Sequence, residues 1–200
     1  MQNKIKVGLI GAGHLGRYHI NHLSKHSDID FVGFFDTDQE NAKQVASKFS
    51  VKSFEGFNQL IDSVDAVHIV TPTNTHYEIA KKCLNKNKDV FIEKPITKNT
   101  KEACDIIDIA EKNNRIIQVG HIERFNPTIN RLKTVFAQPH YIEIERLAPF
   151  QSRGTEVPVV LDLMVHDIDL ILSIVDSDIV DVHASGASMM IDTVDLAHAH

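Results

Sequence analysis

The sequence predicts an α/β protein. A doubly wound parallel sheet is expected over residues 1–120, followed by an incomplete α+β domain with a mostly antiparallel sheet over residues 121–200. Three observations carry this reading. Apolar runs alternate with helical segments through the first 120 residues. Those runs are continuous, as in strands of a parallel sheet covered on both faces. After Gly120 the pattern changes to polar–apolar alternation separated by turns.

The elements follow in order. Residues 4–10 (KIKVGLI) read as a buried strand, and GAGHLG follows at once. A helix runs from there to about Ser24, and residues 30–36 (DFVGFFD) form a second strand ending in an acid. Residues 39–49 are helical; a short strand at 52–54 and a short helix at 56–62 come next. Residues 65–72 (DAVHIVTP) and 89–95 (DVFIEKP) are strands, with a helix over 74–87 between them. The helix over 100–114 carries Ala103, Ile106, Ile107 and Ala110 at the helical spacing, and 115–121 is the next strand. Beyond it, 126–137 reads as a helix with Pro127 in its first turn, and 140–150 as a half-exposed strand alternating Ile142 and Ile144 with Glu143 and Glu145. Residues 161–175 form a strongly apolar helix; 179–190 and 195–200 read as antiparallel strands around a turn at 191–193.

Composition narrows the function. The chain has 200 residues, 42% hydrophobic and 24% charged, with a net charge of −6. That profile is globular, and it gives nucleic acid no electrostatic footing. No apolar run reaches the ~20 residues of a membrane span, and the start lacks the pattern of a signal peptide. Cys83 and Cys104 both lie in helical segments and read as free thiols. The expectation is a cytoplasmic protein without a metal site.

Gly11, Gly13 and Gly16 form G-x-G-x-x-G between a strand and a helix. In that context the first glycine permits the turn, the second lets the main chain approach a pyrophosphate, and the third lets helix and strand pack closely. His14 and Leu15 belong to the same phosphate loop, whose helix start offers unpaired N–H groups. Asp36 stands 20 residues after Gly16, where a carboxylate meets an adenosine ribose. An acid there, with no arginine directly after it, favours NAD over NADP. The domain is therefore read as a Rossmann domain.

Two further groups sit at strand ends, where open α/β sheets bind ligands. Glu93, Lys94 and Pro95 close the fifth strand, and a lysine in a partly dry cleft can shuttle protons. Thr71, Pro72 and Thr73 close the fourth; Thr73 or Asn74 is expected to cap the next helix, leaving Thr71 and His76 to line the nicotinamide end. In the later helix, Asp162, His166 and Asp169 fall at i, i+4 and i+7 among apolar neighbours, with Asp169 read as solvent-facing. An acid one turn from an imidazole can orient and charge it. A carboxylate, an imidazole and a lysine are the groups that reversible oxidation of a secondary alcohol needs.

In this order, GAGHLG, FFD, TPTNTH, EKP and the D-x-x-x-H of Asp162 and His166 resemble the Gfo/Idh/MocA oxidoreductases. The resemblance implies NAD(P)-dependent oxidation or reduction of a sugar or cyclitol carbon. By it, Lys94, Asp162 and His166 are catalytic and substrate-binding, with either Lys94 or His166 as the base. The stretch GHIERFNP (120–127) and the later RGTEVPVV most resemble the branch that oxidises the 3-hydroxyl of UDP-N-acetylglucosamine. Arg124 and Arg153, with Glu123 and Arg146, are then candidates to hold a diphosphate and sugar hydroxyls. Family members run longer, which implies an incomplete second domain, and they associate as dimers or tetramers through the C-terminal sheet. The competing readings are a non-catalytic nucleotide or sugar sensor on this fold and an inactive fragment of an enzyme.

Overall fold

A computed structural model describes residues 4–135, 139–149 and 157–200. The chain divides into two compact units, Met1–Gly120 and His121–His200.

The first unit holds β1 (Ile5–Ile10), α1 (His14–Leu23), β2 (Ile29–Phe35), α2 (Gln39–Phe49), β3 (Ser53–Phe54) and α3 (Phe57–Ile61). It continues with β4 (Ala66–Ile69), α4 (Thr73–Asn85), β5 (Asp89–Ile92), α5 (Thr100–Lys112) and β6 (Ile117–Val119). The six strands are parallel, in the order β3-β2-β1-β4-β5-β6. This is the doubly wound Rossmann order, whose switch point lies between β1 and β4. Ligands of such sheets bind outside the carboxyl ends of the strands at that point.

The pleat sorts side chains between two cores. Ile10, Val67, Ile69, Val90 and Ile92 face one way and pack with Leu84 and Ile106. Leu9, Phe34 and Val70 face the other and pack with Ile20 of α1 and Val45 of α2. A one-residue slip would exchange these sets, so the register is firmly specified. Helix ends are set by local chemistry. Asp38 caps α2 by accepting the Glu40 and Asn41 N–H groups at 3.1 and 3.0 Å. Asn99 caps α5 by accepting the Glu102 N–H at 2.9 Å. The expected side-chain cap on α4 is absent: Pro72 is its N-cap residue, and the Thr75 hydroxyl contacts the Pro72 carbonyl and the Thr71 hydroxyl, both at 2.7 Å.

The second unit opens with a 3₁₀ turn (Ile122–Phe125), followed by α6 (Pro127–Val135). A π-helical turn (Val160–Met164) leads into α7 (Val165–Ile174), and β7 (Ala184–Ala187) pairs antiparallel with β8 (Leu196–Ala199). The antiparallel pair matches the reading, but β7 is much shorter than 179–190 because only Ala184–Ala187 ladders with β8. Residues 140–149 do not form the expected strand. Their alternation is suited to one, yet a strand needs a ladder, and among the described residues none pairs with them. The helix expected over 161–175 is also interrupted, since its first turn is π rather than α. No helix of the described residues is long and apolar enough to cross a membrane.

Candidate functional site

The glycine loop joins β1 to α1. Gly11 adopts φ +94°, a conformation closed to most side chains, and a Cβ there would strike the Val70 carbonyl. A Cβ on Gly16 would collide with the Gly11 carbonyl oxygen, which is why the loop folds so tightly onto the helix. At Gly13 no atom lies within 4 Å of where a Cβ would be. That open space borders the start of α1, where Gly13 is the N-cap residue and no side chain caps the first turn. His14 and Leu15 are exposed in the same loop. Uncapped N–H groups, the helix dipole and room above Gly13 together suit a pyrophosphate.

Asp36, just after β2, does more than close a strand. Its Oδ2 accepts the Ala12 N–H at 2.6 Å, and its Oδ1 accepts the Asp38 N–H at 2.8 Å. Asn41 joins the same network. Its amide donates to the Ala12 carbonyl at 3.1 Å, while its Oδ1 accepts from Arg17 Nη2 at 2.6 Å. The acid therefore holds the glycine loop in shape.

At the ends of β4 and β5, His76 departs from expectation. Its ring is 1% exposed. Its Nδ1 lies 2.9 Å from the Pro95 carbonyl oxygen and its Nε2 2.8 Å from the Thr71 carbonyl oxygen. His76 thus stands between two loops with both nitrogens facing main-chain carbonyls, not at the surface expected of it. Thr71 and Thr73 are half-buried and Pro72 is exposed.

Glu93 and Lys94 are half-buried and follow β5 directly, and the Lys94–Pro95 peptide is cis. Glu93 Oε1 lies 2.9 Å from His19 Nε2 of α1, and its Oε2 accepts the Lys94 N–H at 3.3 Å. Burial alone would raise the Glu93 carboxyl, but the hydrogen bond from His19 carries it below its ordinary value. Behind His19 stands His68 of β4, with 3.4 Å between their Nδ1 atoms. His68 stacks on Phe91 at 4.5 Å between ring centres. Burial, then the neighbouring His19, pushes His68 from an ordinary 6.5 down to about 4, so its ring is neutral at pH 7.

In the second unit, Asp162 lies in the π-helical turn and His166 in the first turn of α7, both half-buried. The 3.6-residue arithmetic that aligned them does not run through a π turn. Asp169 is 7% exposed, not solvent-facing. It receives Arg124 through Nε at 2.7 Å and Nη2 at 2.6 Å, and His121 Nδ1 lies 3.6 Å away. Burial would raise the Asp169 carboxyl, and the Arg124 hydrogen bond instead brings it below its ordinary value. Arg146 forms the same kind of two-pronged pair with Asp167, which is 8% exposed. These guanidiniums are thus paired with buried acids of α7, and the Arg124 side chain remains 46% exposed. Arg153 lies outside the described residues. Among the described residues no group of side chains has the makings of a metal site. An open depression lined by Lys4, Lys6, Ile29, Asp30 and Asp65 lies at the amino ends of the strands, opposite the glycine loop.

The oxidoreductase family described as having an NAD-binding Rossmann fold, GFO_IDH_MocA, matches residues 5–121, more than half of the chain. The chain belongs to the Gfo/Idh/MocA family. This family binds NAD, and the glycine loop, the uncapped start of α1 and Asp36 fit that group. The Gfo/Idh/MocA chain is 39% identical over 98% of its length to UDP-N-acetylglucosamine 3-dehydrogenase of Acidithiobacillus ferrooxidans, covering 62% of that protein. It is 28% identical over 94% of its length to myo-inositol 2-dehydrogenase of Thermotoga maritima, covering 60% of it. A solved structure of the Acidithiobacillus ferrooxidans enzyme superposes with a TM-score of 0.90 at 38% identity, over 99% of this chain and 65% of that one. An NAD-binding protein from Listeria innocua superposes at 0.87 with 25% identity, over 98% and 63%. The chain thus spans somewhat under two thirds of the length of these relatives.

Sequence reasoning passed over His19, His68 and Asn41. The signal for His19 was its spacing, three residues after Gly16 and so on the same side of α1. For His68 it was strand alternation, which sets it opposite Val67 and Ile69. For Asn41 the partners Ala12 and Arg17 lie far away in sequence, in the glycine loop and in α1.

Proposed function

We propose that this protein is an NAD-dependent dehydrogenase acting on a secondary alcohol of a sugar or nucleotide sugar, with the 3-hydroxyl of UDP-N-acetylglucosamine as its substrate position. The observation that carries the substrate is the likeness to UDP-N-acetylglucosamine 3-dehydrogenase, which runs through both units of the chain. The chemistry rests on a lysine at the carboxyl end of β5, in the same unit as a glycine loop open to a pyrophosphate.

The glycine loop holds the phosphates through main-chain N–H groups of α1, and Asp36 accepts from the adenosine ribose. Bound NAD supplies the acceptor for the hydride that leaves the carbinol carbon. The chain's own task is the hydroxyl proton, which passes to Lys94 or His166 as the carbonyl forms. Asp162 binds substrate beside His166. The second unit serves as the substrate part, and copies associate through its sheet.

The test is turnover by the full-length protein with NAD and UDP-N-acetylglucosamine, followed as NADH absorbance. Lys94→Ala and His166→Ala are each expected to lower kcat by about 10²-fold or more, the usual worth of a positioned acid or base. The one whose loss also removes a limb of the pH–rate profile is the base. NAD binding without turnover on this substrate or on other sugars would replace the dehydrogenase with a sensor. Undiminished turnover in both variants would remove the mechanism.

A further inference from the structure

The turn that carries Lys94 is held from both ends by histidines. On one side, Glu93 accepts from His19 of α1 at 2.9 Å, and the other Glu93 oxygen accepts the Lys94 N–H at 3.3 Å. On the other side, the Pro95 carbonyl oxygen lies 2.9 Å from His76 Nδ1, whose opposite nitrogen lies 2.8 Å from the Thr71 carbonyl oxygen. His19 belongs to the helix that starts at the glycine loop; His76 belongs to the first turn of α4. Both nucleotide-binding loops are therefore tied to the one dipeptide step that orients the lysine.

Carbonyl oxygens only accept, so a neutral His76 ring donates to one of its two carbonyl neighbours, and to Pro95 when the hydrogen is on Nδ1. The Glu93 carboxylate likewise only accepts, so His19 Nε2 carries hydrogen toward it. His68 backs His19 at 3.4 Å and is itself fixed by stacking on Phe91. Side chains with two fixed partners lose their rotamer freedom, which is what precise placement of a neighbour requires.

We propose that His19 and His76 are positioning residues that clamp the turn of Glu93, Lys94 and Pro95 and so set the location of the Lys94 amine. This rests on the reading of Lys94 as a catalytic residue; the measurement below reports on the lysine directly, so the two can fail separately.

The experiment uses full-length protein labelled with ¹³C at the lysine ε-carbon, the Lys94 signal being assigned by its loss in Lys94→Gln. His19→Leu and His76→Leu are expected to shift or split the Lys94 signal. They should lower kcat by about tenfold to a hundredfold, the effect of misplacing a reacting group by an ångström, while the NAD dissociation constant stays nearly unchanged. His19→Gln, which keeps one N–H for Glu93, should recover part of the loss. An unmoved Lys94 signal with unchanged kcat, even with a lower melting temperature, would overturn the proposal and leave both histidines merely structural. If a leucine variant fails to fold, ¹⁵N-histidine spectra of the unaltered protein decide. Hydrogen on His76 Nδ1 supports the bond to the Pro95 carbonyl, and hydrogen on Nε2 alone overturns it. A Lys94 signal that moves in a protein that turns over no sugar would sustain the clamp and remove the dehydrogenase reading.

Discussion

Asp36 is expected from its sequence position to meet a ribose, and its surroundings give it a task of their own. An acid at the end of the second Rossmann strand favours NAD through its ribose contact. Here it also accepts the Ala12 N–H at 2.6 Å, so removing it loosens the glycine loop. Asp36→Ala is expected to weaken NAD by about tenfold or more while narrowing the gap between NAD and NADP, measured as dissociation constants for both. His68 makes a different prediction, about pH. Its folded value of about 4 lies below the ordinary 6.5. Between those values the unfolded chain takes up a proton that the folded protein refuses, so stability falls as pH drops through that window. The loss is on the order of a few kcal/mol at most, reduced by the ring's partial exposure. His68→Phe, which keeps the stack on Phe91, should flatten the acid-side slope in denaturant melts between pH 6.5 and 4.

At the scale of elements, hydrophobic period did most of the work in the first unit. Continuous apolar runs became β1, β4 and β5, and the spacing of Ala103, Ile106 and Ala110 became α5. Fully buried Leu84 of α4 closes the larger core against β5 and α5. Leu84→Ala should therefore cost about 2–5 kcal/mol, read as a lowered denaturation midpoint. The second unit was less legible. The alternation over 140–149 is a genuine strand pattern, but pairing is decided by a distant partner, and none lies among the described residues. The π turn before α7 was equally invisible, because period-3.6 arithmetic assumes an unbroken helix. The acids of α7 illustrate the consequence. Asp169, read as solvent-facing, is buried, and Asp167, passed over, is buried on Arg146. Arg146→Ala leaves that carboxylate without its guanidinium, a loss of about 1–3 kcal/mol because Arg146 itself is partly exposed. Hydrogen exchange should accelerate in α7 while β1, β4 and β5 keep their protection.

For the whole molecule, the two units differ in how they obtain their order. Met1–Gly120 is a closed set of repeated strand–helix steps, each packing on the last, so local pattern and global fold agree. His121–His200 relies on ion pairs spanning long stretches of chain, such as Arg124 with Asp169 and Arg146 with Asp167. The sequence by itself determined the sheet, the glycine loop, the acid after β2 and the lysine after β5. Each of these is written in a short window of residue type and spacing, which constrains the backbone directly. Only the tertiary structure decided which polar groups remain open to a ligand. It turned His76 inward onto Thr71 and Pro95, set His19 and His68 behind Glu93, and committed two arginines to buried acids. Those outcomes depend on which distant backbone and side-chain groups need a hydrogen-bond partner once water is excluded, and no local window contains both halves of such a pair.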